Sequence, residues 1–161
     1  MIKSNEFLQI ARAHGDRVAR ELGMRESRAV AEETYALVRW SNDSRAFELD
    51  MDRAEDYRIH ASVLRLDSNR PALGQPREPE DFNVYDLEAV LVRRGEAPAE
   101  LGDYGQGTRA EVDAALANVV RVLEAKAMDL LLGAPDEWHR LGTMMADRVR
   151  RFEQGQLEPG T

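Results

Sequence analysis

The chain has 161 residues, 43% hydrophobic and 32% charged, the profile of a folded protein with one core and a charged surface. Asp and Glu number 30 against 22 Lys and Arg, a formal net charge of −8, which disfavours nucleic acid as a partner, favours encounter with a basic protein and also serves solubility. Cysteine is absent, which removes disulfides, thiolate nucleophiles and Cys-based zinc sites, and no apolar run approaches the ~18 residues of a membrane span, so a cytoplasmic protein with no membrane partner is expected.

In chain order, 4–22 reads as a first helix, with Ser4 or Asn5 as cap and Phe7, Ile10, Ala11, His14, Val18 and Leu22 as its apolar stripe. Gly15 weakens its middle by about 1 kcal/mol relative to alanine and marks either a close packing contact or a shorter helix. His14 reads as a packed histidine on or beside the stripe.

Segments 29–40, 45–52 and 57–66 read as three strands. In the second, Phe47, Leu49 and Met51 alternate with Glu48, Asp50 and Asp52, the period of a sheet with one buried face. A turn at Asn42-Asp43 would pair Val38 with Phe47 and Ala36 with Leu49. The next hairpin would pair Leu49 with Ile59, Phe47 with Ala61, Asp50 with Arg58 and Glu48 with His60, opening where Asp52 would face Asp56. Leu64 and Leu66 break the alternation, so a bulge or a change of environment is expected there.

Pro71, Gly74, Pro76 and Pro79 make 67–83 an irregular stretch, with a short edge strand conceivable at Ala72-Leu73. A short helix is expected over 84–93, closed by Arg93, Arg94 and Gly95, and a glycine-containing loop over 96–107. Val112, Leu116, Val119, Val120, Leu123, Ala127, Leu130 and Leu131 then define one long helix over 108–133. Thr108 and Glu111 form a capping box at its start, and Gly133 with Pro135 stops it. A last helix over 136–152, capped by Asp136, carries Trp138, Leu141, Met145, Val149 and Phe152 on its apolar side. Residues 1–153 are expected to form a single α+β domain and 154–161 a disordered tail.

The residues offer little catalytic chemistry. His14, His60 and His139 fall on separate elements without metal-site spacing, no Gly-x-Ser-x-Gly elbow occurs, and no cofactor motif is found. Gly102, Gly105 and Gly107 around Tyr104 read as a flexible connection rather than a phosphate loop, because no strand precedes them and no Lys-Ser or Lys-Thr follows. Glu48, Asp50 and Asp52 share one strand face. They suit a solvated surface paired with Arg39, Arg58 or His60, or an acidic patch for a partner's basic side chains; a hard cation is the remaining option, without a second ligand set nearby.

The order of parts resembles a class of small bacterial proteins encoded near polymorphic or contact-dependent toxin genes, many of them regarded as immunity proteins. The matching residues are Asp86-Leu87, Leu91, Val92, Arg93-Arg94-Gly95, the helical run 111–132, Gly133, Trp138 and Leu141, within about residues 30–141. The proline-rich insert at 70–80 and the charged tail depart from that pattern. The resemblance implies a non-enzymatic protein that binds and neutralises a toxin, and it brings no catalytic residue.

Together these readings predict an antiparallel sheet of three or four strands with helices on one face and a long C-terminal helix pair. The expected partner is a protein, a basic toxin domain being one candidate, bound through Tyr35, Glu48, Asp50, Asp52, Arg58 and His60, with no cofactor or metal. The chain would be a monomer or a homodimer. The alternative is a structural or regulatory homo-oligomer paired through the last helix.

Overall fold

In the computed structural model, which describes residues 1–54, 58–66, 78–96 and 101–156, the first helix, α1, spans Ser4–Glu21. Its N-cap is Lys3, whose backbone N–H donates to Glu6 Oε2 at 2.8 Å, so the cap lies one residue before the expected Ser4 or Asn5. Ser4 is already helical, and its hydroxyl donates to the carbonyl of Glu32 instead. Gly15 is a close packing contact: a Cβ there would lie 2.4 Å from the Trp40 ring. Beside it, Trp40 Nε1 donates to Asp16 Oδ1 at 2.8 Å, and the indole stacks on Phe47 with centroids 4.9 Å apart. His14 is part-exposed and pairs with Asp113 at 2.8 Å, rather than packing into the stripe.

Among the described residues five antiparallel strands follow in spatial order β1 to β5: Arg25–Ala31, Tyr35–Ser41, Arg45–Asp52, Ile59–Arg65 and Val84–Asp86. The fold is α+β, with one strand more than the upper expectation. The segment expected as a single strand over 29–40 is two strands, because Glu32 N–H donates to Tyr35 O at 2.8 Å and folds the chain back between them. Strand β1 escapes a periodicity reading because it is an edge, exposed on both faces, and has no buried set to alternate.

Both hairpin registers differ from expectation by two residues. Val38 pairs with Leu49 and Trp40 with Phe47, while Leu49 pairs with Ala61 and Asp50 with His60. A shift of two keeps every side chain on its face, so the apolar match that suggested the registers survives. The turn itself moves one residue along: Asn42 and Arg45 close it, and Asn42 Oδ1 accepts from the N–H groups of Ser44 and Arg45. The β3–β4 register is continuous through Leu64; the sheet's irregularity lies in β1, between Glu26 and Arg28. The facing of Asp52 and Asp56, the Ala72-Leu73 strand and residues 157–161 of the tail lie outside the described residues.

The segment 84–93 is divided. Val84–Asp86 pairs with β4, and helix α2 (Leu87–Arg93) starts only after Asp86, whose side chain caps it by accepting from Glu88 N–H at 2.8 Å. The long helix is interrupted too: α3 spans Arg109–Lys126 with the expected Thr108–Glu111 capping box, Ala127 leaves helical geometry at φ −130° and ψ 5°, and α4 is the single turn Met128–Leu131. Helix α5 (Pro135–Glu153) then begins with Pro135 at its first turn and Ala134, not Asp136, as cap.

Two arginines explain how the interruption is held. Arg94 donates to the carbonyl of Lys126 at the end of α3, to Asp129 at 2.7 Å and to Glu137 at 2.7 Å, joining the ends of α2, α3, α4 and α5. Arg45, 4% exposed, donates to Leu130 O at 3.2 Å, and that carbonyl also accepts from Trp138 Nε1 at 3.0 Å. The Trp138 ring lies under the guanidinium groups of Arg45 and Arg65, at 5.7 and 5.6 Å, and beside Tyr85 at 5.0 Å.

All helices contribute to one core on one side of the sheet, made with Ala36, Val38, Trp40, Phe47, Leu49, Met51, Ile59, Ala61, Val63 and Tyr85. Helix α1 covers β1 and β2 and touches β3, whereas α3 lies over β4 and packs beside α1, so the two helices share the sheet between them.

Two stability tests follow from these contacts. Gly15→Ala gains helix propensity of about 1 kcal/mol but presses a methyl against a fully buried, stacked Trp40; a net loss of about 1–2 kcal/mol is expected in urea unfolding. Bonds from Arg140 and Arg94, opposed by burial, hold the Glu137 carboxyl down at about 2. Its stabilisation is complete above pH 4.5 and is lost as pH falls towards 2, so Arg94→Ala should cost about 1–3 kcal/mol at pH 7 and make that acid limb of the stability profile shallower, with the Arg140 bond keeping the rest.

Candidate functional site

Alternation along the strands puts a second set of side chains on the face away from the helices. Tyr35, Leu37 and Arg39 come from β2, Ala46, Glu48, Asp50 and Asp52 from β3, His60, Ser62 and Leu64 from β4, and Val84 and Asp86 from β5. This face is not uniformly polar. Leu37, Ala46 and Leu64 are buried yet stand apart from the main core, and Val84 and Leu66 remain 43% and 42% exposed at the same end.

Of the six residues expected to bind a partner, Tyr35, Glu48, Asp50, Asp52 and His60 are brought together here. Arg58 stands at the margin, bridged to Asp103 and paired with Glu88 of α2 at 3.4 Å, not opposite Asp50. The two-residue register shift puts His60 in that place. Sequence reasoning missed Asp86: its strand is three residues long, too short to show an alternation, and its neighbours Leu87, Val90 and Leu91 carry helical spacing. His60 Nδ1 lies 3.6 Å from the Asp86 carboxylate.

The three carboxylates of β3 have different surroundings. Glu48 is nearly buried and forms an ion pair with Arg39 of the neighbouring strand. Asp52 accepts from Ala54 N–H at 2.9 Å and shapes the end of the strand. Asp50 sits between them, flanked by Leu37 and His60 in the register, and accepts no hydrogen bond or ion pair among the described residues. Burial pushes its carboxyl up to about 7; His60 opposes the shift, and Glu48, Asp86 and Asp52 add to it. Burial, with Asp50 and Glu48 next, likewise raises the Tyr35 hydroxyl. Among the described residues no group of three or more His, Asp or Glu is arranged to hold a metal ion, and with Glu48 and Asp52 occupied the row does not converge on one point.

The Gly102–Gly107 loop has a structural task. Gly102, at φ +80°, accepts the N–H of Ile59 on its carbonyl at 2.8 Å and passes so close that a Cβ would lie 1.9 Å from Ile59 O. The depression beside it is lined by Asp103 and Glu111, which repel phosphate. No helix among the described residues is long and apolar enough to cross a membrane. Comparison with protein-family models, with curated proteins and with solved structures finds no match for this chain.

The raised Asp50 carboxyl makes stability pH-dependent in a defined sense. The folded protein holds this proton more tightly than the unfolded chain, so stability falls as pH rises from about 4 to about 7 and levels off above. Asp50→Asn should remove that slope and raise stability at pH 8 by about 1–3 kcal/mol, measured by urea unfolding across the pH range.

Proposed function

We propose that this protein is a non-enzymatic binding module of the immunity type, which neutralises a toxin by covering a basic surface with the helix-free face of its sheet. The observation that carries the reading is Asp50: a carboxyl in mid-sheet, crowded by neighbouring carboxyls that His60 offsets only in part and without a hydrogen bond or ion pair among the described residues, on a chain of net charge −8. A partner's Lys or Arg at that position would add the counter-charge that His60 supplies only in part. The exposed Val84 and Leu66 give the same face an apolar margin, the mixture that protein interfaces use. The resemblance to proteins encoded beside toxin genes agrees with this role.

The competing reading, a homo-oligomer through α5, has less to stand on. Trp138, Leu141 and Ala146 of its stripe are buried in the chain's own core, which leaves Phe152 as the exposed large apolar residue of that helix.

The test is co-purification with the product of the neighbouring gene, together with protection of cells that express that product. Neutralising both Asp50 and Asp52 to Asn, which keeps the Asp52 Oδ1 acceptor for Ala54 N–H, should weaken binding at least about tenfold, chiefly through slower association at low salt, and weaken protection while leaving the fold intact. Absence of both binding and protection by the unaltered protein would refute the reading.

A further inference from the structure

The two ends of the sheet are finished differently. At one end β5 is three residues long and leads directly into α2. At the other, β1 has seven residues, pairs among the described residues only with β2 and is exposed at every position except the half-buried Val30. Edges are ordinarily guarded against further pairing by bulges, charges or proline. Here the first half of β1 is guarded by Arg25, Glu26, Arg28 and the irregularity between Glu26 and Arg28, whereas Ala29-Val30-Ala31 has no such device.

The hydrogen-bond phase shows which backbone groups are open. Glu32 N–H donates to Tyr35 O at 2.8 Å, and the register continues as Ala31↔Ala36, Val30↔Leu37, Ala29↔Val38 and Arg28↔Arg39. In an antiparallel pair alternate residues bond to the neighbour. Glu32, Val30 and Arg28 are therefore turned towards β2, and the N–H and C=O groups of Ala29 and Ala31 point away from the sheet.

We infer that β1 is a self-pairing edge, on which a second copy of this chain docks antiparallel about Val30. A two-fold axis through Val30 places Ala29 opposite Ala31 of the second copy and Ala31 opposite its Ala29, which joins the outward groups in about four backbone hydrogen bonds. The same register sets Arg28 against Glu32 of the second copy, and Glu32 against its Arg28. These side chains share a face with Val30, and among the described residues neither has a hydrogen bond or an ion pair. The charge match selects this register. Moving the axis to Arg28 would set like charges against each other, and moving it to Ala29 would oppose Glu26 to Glu32. The product is a continuous ten-stranded sheet in which the two acidic faces lie on one side. This pairing uses the opposite side of the molecule from α5 and does not depend on the toxin-binding role.

Sedimentation velocity of the purified full chain from micromolar to millimolar concentration tests the inference. The mass should rise from 18.2 kDa towards twice that value. Ala29→Pro and Ala31→Pro remove an outward N–H while sparing the bonds to β2, and should hold the protein monomeric with unchanged far-UV circular dichroism. If these variants misfold, the surface charges decide: Arg28→Glu and Glu32→Arg should each raise the dimer dissociation constant about tenfold, and the two together should restore it. A monomer at millimolar concentration, a dimer indifferent to these changes, or an edge that pairs only with another protein's strand would each overturn it.

Discussion

At Gly15 the absence of a Cβ lets α1 rest directly on Trp40 of the sheet. Because that indole is also stacked on Phe47 and bonded to Asp16, the position of α1 over β2 and β3 is set in distance and in rotation. The rest of the architecture follows from it. Helix α3 packs beside α1 and over β4, and the remaining helices close the same layer. Helices α1 to α5 all pack into the one core, so among the described residues the other face of the sheet keeps a mixture of carboxylates, a histidine and a few aliphatic groups.

A second constraint organises the C-terminal half. The chain changes direction twice between Lys126 and Pro135, which leaves helix-end carbonyls without intrahelical partners. The Lys126 carbonyl receives Arg94, and the Leu130 carbonyl receives both Arg45 and Trp138. Charged groups are thus brought into the interior where the backbone requires donors, and each is supported by a carboxylate or an aromatic face. The acidic surplus of the composition is consequently concentrated on the surface, and part of it on the uncovered sheet face.

That face and the β1 edge place opposite demands on the same sheet. Burying carboxylates in a row raises Asp50 and costs stability at neutral pH. Leaving Ala29 to Ala31 unguarded exposes backbone groups that a compact fold would ordinarily cover. Neither feature serves the chain's own packing. Local departures from good folding practice of this kind are the places where an interaction with another molecule is best sought.

Elements with one strongly buried side are legible in the residue pattern. Helix α1, the alternation of β3, the Thr108–Glu111 capping box and the apolar stripe of α5 follow from periodicity and local hydrogen bonding, which need no distant contact. The pattern also placed Glu48, Asp50 and Asp52 on one face, since a period of two decides that within the strand. Tertiary structure alone decided the registers, the edge strand β1, the three-residue β5 and the break at Ala127. A register shifted by two satisfies the same pattern, so the Asn42 turn and the Trp40–Phe47 stack had to choose. An edge has no buried set to alternate, and a helix whose apolar repeat continues through Ala127 is interrupted by what Arg94 and Arg45 offer its carbonyls. For the same reason His60, and not Arg58, stands beside Asp50: which groups meet across strands is a property of the register, and the register is a property of the whole sheet.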